Sequence, residues 1–147
     1  MTYFYVLLAL IAGAVLPLQV GVNNTLRHGV GSAVLAALIS FSVGAFCLVA
    51  YTLLVRTPWP AVNDMGRLPV WAWFGGALGA YYVAMTIFVA PHLGAANLIT
   101  LTVTTQLLVS LLLDHYGLIG FAQHSINAWR VLGALLLVAG TVLVVRY

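Results

Sequence analysis

The strongest constraint on the fold of this chain is a series of five long apolar segments with little sequence between them. A helix needs about 20 mostly apolar residues to cross the hydrocarbon core of a bilayer. Each segment meets that requirement, and the connections are too short to form a second domain. The sequence therefore predicts an all-α membrane protein, one transmembrane domain over residues 1–147, whose helices span approximately 4–26, 32–55, 70–89, 95–113 and 128–145.

Composition agrees with this prediction and excludes several classes of protein. Hydrophobic residues make up 64% of the chain and charged residues 5%, whereas about a quarter of a soluble domain is charged. The five arginines are scattered, so there is no basic patch for nucleic acid. The single cysteine, Cys47, excludes a disulfide framework and a cysteine-based zinc site. Since His92, His115 and His124 lie in separate loops without ligand spacing, we expect no metal and no cofactor.

The arginines also bear on how the chain is oriented in the membrane. Five crossings place Arg56, Arg67 and Arg130 on the side of the N-terminus, and Arg27 and Arg146 on the other side. The positive-inside rule counts such residues near helix ends, and three against two is almost no bias. Two explanations stay open. Either a weak bias or a larger partner sets one orientation, or copies insert both ways and pair antiparallel.

An odd helix count gives antiparallel pairing a consequence for the fold. Many transporters consist of two inverted repeats, with the substrate site between them near the midplane of the bilayer. Two copies of a five-helix chain inserted in opposite directions would build the same arrangement. The chain is therefore expected to be one half of a ten-helix inverted-repeat assembly.

Five motifs, in this order along the chain, carry a resemblance to a known family. They are PLQVGVN at 17–23, GGALGAYY at 75–82, PHLGAA at 91–96, QLLVSLLLDHYG at 106–117 and RVLG at 130–133. Together they resemble the YdcZ-like, five-helix branch of the drug/metabolite transporter superfamily. The resemblance implies a small-molecule transporter of the cell inner (plasma) membrane. It also implies assembly either as an antiparallel homodimer or with a homologous five-helix chain.

Polar side chains inside the spans are the candidates for substrate contact, because they are costly in hydrocarbon unless they face protein or a water-filled cavity. In the first span, Gln19 and Asn23 lie four residues apart on one helix face, with Arg27 continuing the stripe. Pro17 disturbs the helix and frees the carbonyl of Gly13. We interpret this face as lining a substrate path; the alternative is interhelical hydrogen bonding.

The fourth span is polar on two sides, so neither side should face lipid. One side carries Asn97, Thr100 and Thr104; the other carries a ladder that includes Gln106. Tyrosines in the middle of the third span offer either aromatic surfaces to a ligand or bonds to a neighbouring helix. The predicted substrate-binding residues are Gln19, Asn23, Tyr81, Tyr82, Asn97, Thr100, Thr104 and Gln106.

Asp114 and His115, at the end of the fourth span, have two interpretations. They could exchange protons, since histidine titrates near neutral pH; alternatively, they cap a turn or pair with an arginine at the interface, which we favour. No carboxylate lies in mid-membrane to balance a cationic substrate. The substrate is therefore expected to be a neutral or zwitterionic small metabolite.

Two other classes of function compete with a transporter. A non-transporting subunit that assembles or stabilises another membrane protein would bury the same polar residues in helix contacts. An intramembrane enzyme would need a nucleophile and a base at the midplane, and the spans contain no such constellation. We therefore expect a transporter, keep the assembly subunit as the alternative, and do not expect an enzyme.

Overall fold

The computed structural model describes residues 2–147, and in that range the structure is helical with no strand. The elements are α1 (Thr2–Val30), α2 (Ala33–Leu54), the short α3 (Val62–Met65), a 3-10 turn (Val70–Phe74), α4 (Gly75–Leu93), α5 (Ala95–Tyr116), a second 3-10 turn (Leu118–Gly120) and α6 (Ala128–Arg146). Within the described range, five helical segments are long and apolar enough to cross a membrane. The prediction of five transmembrane helices is confirmed.

Three of these helices run clearly further than the sequence pattern predicts, and one of them is α5, which passes position 113 and ends at Tyr116. The first continues four residues past position 26 and ends at Val30. The third passes through Pro91 and ends at Leu93. Hydropathy marks where the hydrocarbon ends, whereas a backbone helix continues until a residue interrupts its hydrogen bonds. At the end of α1 that residue is Gly31, whose φ of +74° lies in the left-handed region.

Other helix ends carry caps that the sequence offers. The Ser32 hydroxyl accepts a hydrogen bond from the Leu35 N–H at the start of α2. The Asn127 side chain accepts one from the Arg130 N–H at the start of α6, at 2.9 Å. The C-cap residue after α5 is Gly117, with φ of +61°. A left-handed residue at this position is typical of a helix that stops and turns.

The chain divides into two compact units, the first ending at Pro91 and the second covering His92–Tyr147. In the first unit, α1 packs against α2, and a small apolar core joins α2 to α4. That core contains Ala36, Ala37, Val83 and Ile87, with Leu26 and Val30 of α1 packed against it. In the second unit, α5 packs against α6.

Candidate functional site

Gln19 lies in a groove on the first unit. The groove, between α1 and α2, has a volume of about 260 Å³, and Ser40, Phe41 and Gly44 also line it. The Gln19 side chain is exposed. In the part of the chain that the structure describes, its amide has no hydrogen-bond partner. Gln19 thus presents two donors and two acceptors to whatever covers this groove.

Asn23, one turn further along α1, is buried and 3% exposed. Its neighbour Asn24 has a buried side-chain oxygen, Oδ1, which finds no partner among the described residues. Buried polar atoms in proteins are nearly always hydrogen-bonded, so an unsatisfied one calls for a functional or structural explanation. The predicted polar stripe of α1 is therefore present, but Asn23 and Gln19 differ greatly in exposure.

Arg27 completes the stripe and contacts α4. Its Nη1 donates a hydrogen bond to the main-chain oxygen of Ile87 at 3.2 Å. In an uninterrupted helix that oxygen would accept from the N–H four residues later. The residue four positions later is Pro91, which lacks an N–H. The guanidinium therefore takes the place of the missing amide and links α1 to α4.

The two tyrosines of α4 lie in different environments. Tyr81 is 67% exposed, whereas Tyr82 is half-buried and packs against the apolar core around Ile87. The structure supports a packing role for Tyr82 and leaves the Tyr81 ring free to contact lipid, a partner or a ligand. Sequence alone could not separate these two adjacent rings.

In the second unit, Asn97, Thr100 and Gln106 lie along α5. Asn97 and Thr100 are half-buried, and the Thr100 hydroxyl donates to the carbonyl of Ala96 in its own helix at 2.7 Å. Gln106 is exposed, and no hydrogen bond to its amide occurs within residues 2–147. The Thr100 hydroxyl is thus partly satisfied by a hydrogen bond within its own helix, whereas the Gln106 amide has no such bond.

Thr104 contacts the neighbouring helix. Its hydroxyl is hydrogen-bonded to the hydroxyl of Thr141 on α6, and both residues are buried. Since the Thr141 hydroxyl donates to the Leu137 carbonyl at 2.9 Å, Thr104 is the donor of the bond between the helices. Thr141 was not predicted; a lone threonine within an otherwise apolar span was the available signal.

Asp114 forms the ion pair that one of the two interpretations requires. Its Oδ2 lies 3.4 Å from Nη1 of Arg130, and both side chains are about one-third exposed (31% and 33%). The same Nη1 donates to the main-chain oxygen of His124 at 3.1 Å. The His124 N–H in turn donates to the carbonyl of Asp114 at 2.8 Å. The end of α5, the loop and the start of α6 are thereby joined by a set of polar contacts.

His115 belongs to the same set of contacts. Its Nδ1 accepts a hydrogen bond from the Ile126 N–H at 3.2 Å. Its main-chain oxygen accepts from the Gln123 side chain at 3.0 Å. Both contacts hold the loop after α5. Among residues 2–147, no three histidine, cysteine or aspartate side chains lie close enough together to hold a metal ion.

The sequence pattern of one protein family, described as "Putative inner membrane exporter, YdcZ", matches residues 4–143. That range covers three of the five candidate membrane spans completely and most of the first and the last. The chain belongs to this family.

Membership of the YdcZ exporter family makes the chain a multi-pass transporter of the inner membrane, and the family is not a family of enzymes. Among curated proteins, and likewise among solved structures, none matches the chain. The YdcZ match covers Gln19, Asn23 and Asp114 but assigns no role to them.

Proposed function

We propose that two copies of this chain, inserted in opposite directions, form a ten-helix exporter with alternating access. In this proposal the substrate lies between the two five-helix subunits. It is a neutral or zwitterionic small metabolite bound by amides, hydroxyls and aromatic rings. The family match supports transport, and the exposed polar groups of the helices support a shared site.

One observation carries the proposal. The amides of Gln19 and Gln106 lie near the middle of their helices, are exposed, and have no hydrogen-bond partner in the described range. An unpaired amide in hydrocarbon costs roughly 2–7 kcal/mol. The cost of exposing two such groups to lipid would equal a large fraction of the free energy of unfolding of a small protein. A second subunit that encloses a polar cavity removes this cost.

The choice of substrate class depends on charge. The two acidic residues of the chain are Asp64, in the short α3, and Asp114, at the end of α5. Neither lies mid-membrane, where it could balance a permanent cation. Uncharged amides such as Gln19 and Asn23 suit hydroxyl, amide and zwitterionic ligands.

Labelling of a single cysteine tests the antiparallel arrangement. Cys47 is exposed, so it is first replaced by serine. The label site is then introduced as Tyr147→Cys, since Tyr147 is 94% exposed at the end of the chain. A membrane-impermeant maleimide should react from both faces of sealed vesicles. Reaction from one face alone contradicts dual topology and favours a parallel dimer or an oriented partner chain.

A substitution at Gln19 tests the shared site. Neutral and zwitterionic metabolites are first screened for thermal stabilisation of the purified protein, with tetraphenylphosphonium as the cationic comparison. The strongest stabiliser is then used, radiolabelled, in proteoliposomes. Gln19→Leu should abolish its transport and leave expression and dimerisation intact, because leucine suits the membrane better than glutamine.

The matched control is Leu18→Val, at a neighbouring position that is also exposed, and it should retain transport. If Gln19→Leu instead loses assembly while transport per remaining dimer survives, Gln19 is a packing residue. Gln19 would then contribute to assembly of the dimer and not to substrate binding.

A further inference from the structure

A groove on the second unit, separate from the residues assigned to substrate, runs between α5 and α6. It encloses about 500 Å³. Its lining residues repeat at helical spacing on both helices, so one stripe of each helix forms a wall. Gly133 and Ala134 supply the α6 wall at its centre, and these small residues leave the space open.

The groove is polar at one end and apolar along the rest. Asp114 and Arg130 lie at the polar end, close to the helix ends, with Ser110 beside them. Leu107 and Leu137 are seven residues deeper in their helices, which is about 10 Å at 1.5 Å per residue. The hydrocarbon of one leaflet is about 15 Å thick. The groove therefore reaches from the interface toward the middle of the bilayer.

The polar end offers both charges to a ligand. Arg130 Nη1 is occupied by Asp114 and the His124 carbonyl, but a guanidinium has five N–H groups. Those on Nε and Nη2 have no partner within the described residues, and neither does Oδ1 of Asp114. Both side chains are about one-third exposed. A fork of donors and a free carboxylate oxygen thus lie side by side.

We propose that this groove binds a zwitterionic phospholipid whose headgroup carries a primary ammonium, as in phosphatidylethanolamine. The phosphate binds the Arg130 guanidinium, which matches phosphate geometry. The ammonium donates to Asp114, and one acyl chain lies along the leucines. Basic pockets between transmembrane helices bind phosphate-bearing lipid headgroups, and here Asp114 adds an acceptor beside the cation. The ammonium requirement follows from Asp114, which can only accept hydrogen bonds when ionised.

A second copy of the chain fits the polar end less well than a lipid. A protein partner can offer neutral acceptors to the free donors of Arg130, but a second anion must come from an acidic side chain, and the chain has one acidic residue besides Asp114. That residue, Asp64, lies in the short α3 rather than in a spanning helix. A zwitterionic phospholipid headgroup brings both charges in one molecule.

Native mass spectrometry of the purified protein tests the proposal, with phosphatidylethanolamine, phosphatidylcholine and phosphatidylglycerol titrated separately. The wild type should bind the first lipid most tightly, because choline cannot donate a hydrogen bond and glycerol carries no cation. Loss of one charge-assisted hydrogen bond corresponds to about a tenfold change in affinity. Asp114→Asn should therefore reduce the preference for phosphatidylethanolamine over phosphatidylcholine by about tenfold. Arg130→Gln should weaken the binding of all three lipids.

A second pair of variants tests the apolar part of the groove without altering charge. A Cβ atom added at Gly133 meets no heavy atom within 4 Å apart from the neighbouring backbone of its own helix, and the same is true of Gly140 on the same helix. Gly133→Leu should fill the groove and weaken phosphatidylethanolamine binding, whereas Gly140→Leu should not. Glycerophosphoethanolamine, which has the headgroup without acyl chains, should compete poorly.

Several results would overturn the proposal. If the wild type binds the three lipids equally, the groove does not recognise the headgroup. Unchanged lipid binding in both Arg130→Gln and Gly133→Leu places the lipid elsewhere. A loss of dimer mass in Gly133→Leu, with lipid binding intact, makes the groove a contact between copies. Tight competition by glycerophosphoethanolamine makes it a site for a soluble metabolite.

Discussion

Replacing Thr104 and Thr141 by valine, singly and together, tests whether Thr104 acts in packing or in substrate contact. The structure gives each hydroxyl a defined part. Thr141 donates its proton to Leu137 within α6, and Thr104 donates across to Thr141. Valine keeps the branched shape and removes the hydroxyl. Thr104→Val removes the donor and leaves the bond within α6 intact.

The expected magnitude is small because each hydroxyl has a local alternative. After Thr141→Val, the Thr104 hydroxyl can turn to the carbonyl of Thr100, as Thr105 does to Leu101. Hydrogen bonds between membrane helices average about 0.6 kcal/mol by double-mutant cycles and reach about 1.7. We expect a coupling energy of about 0.6 kcal/mol, which is about a threefold change in the unfolding equilibrium constant.

The assay is unfolding in mixed micelles of mild detergent and SDS, followed by circular dichroism, for the four proteins of the cycle. Thr105→Val is the control, because that residue is exposed and its hydroxyl is bonded within its own helix at 2.9 Å. Strictly additive costs for the two substitutions would refute the coupling. Unchanged stability with lost transport in Thr104→Val would instead place Thr104 on the substrate path.

Three further predictions concern single contacts. Gly117→Ala should lower the free energy of unfolding by about 1 kcal/mol in the same assay, because φ is +61° there; no loss would show that the turn adapts. Arg27→Met should cost about 1–3 kcal/mol by leaving the Ile87 carbonyl without a donor. Pro91→Ala supplies an N–H to that carbonyl, so the cost of Arg27→Met should nearly vanish in its presence; an equal cost in both backgrounds would contradict this account. Asp114→Asn should cost at most about 1 kcal/mol and leave gradient-driven uptake of the stabilising metabolite unchanged, whereas retained exchange with lost uptake would assign proton coupling to Asp114.

Sequence pattern predicts the spans well because hydrocarbon thickness and helix rise are fixed quantities. It predicts helix ends less well, and α4 shows why. A proline near the end of a span reads as a breaker, yet α4 continues through Pro91. The reason is a side chain 60 residues earlier, Arg27, which bonds the Ile87 carbonyl that Pro91 leaves without a partner. A contact between distant parts of the chain has no local signature.

The candidate site divides in the same way. The sequence alone indicates that the spans carry amide side chains in mid-membrane. In the described range, the amides of Gln19 and Gln106 are exposed and have no hydrogen-bond partner. Which residues pair with each other was not predictable. Asp114 was expected to cap a turn or meet an arginine, and three arginines share its predicted side. The loop geometry selects Arg130, through the His124 carbonyl.

The bond from Arg27 to Ile87 also bears on the order in which the protein is made. A chain is synthesised at about 5–20 residues per second, so the 60 residues that separate the two partners require about 3–12 s of translation. During that interval the guanidinium has been synthesised and its acceptor does not yet exist. Water and headgroups at the interface must solvate Arg27 until the third span arrives. The contacts at the end of α1 are thus complete only once α4, which is synthesised later, has been inserted. A chain released before Ile87 is made would leave the hairpin of α1 and α2 without this hydrogen bond.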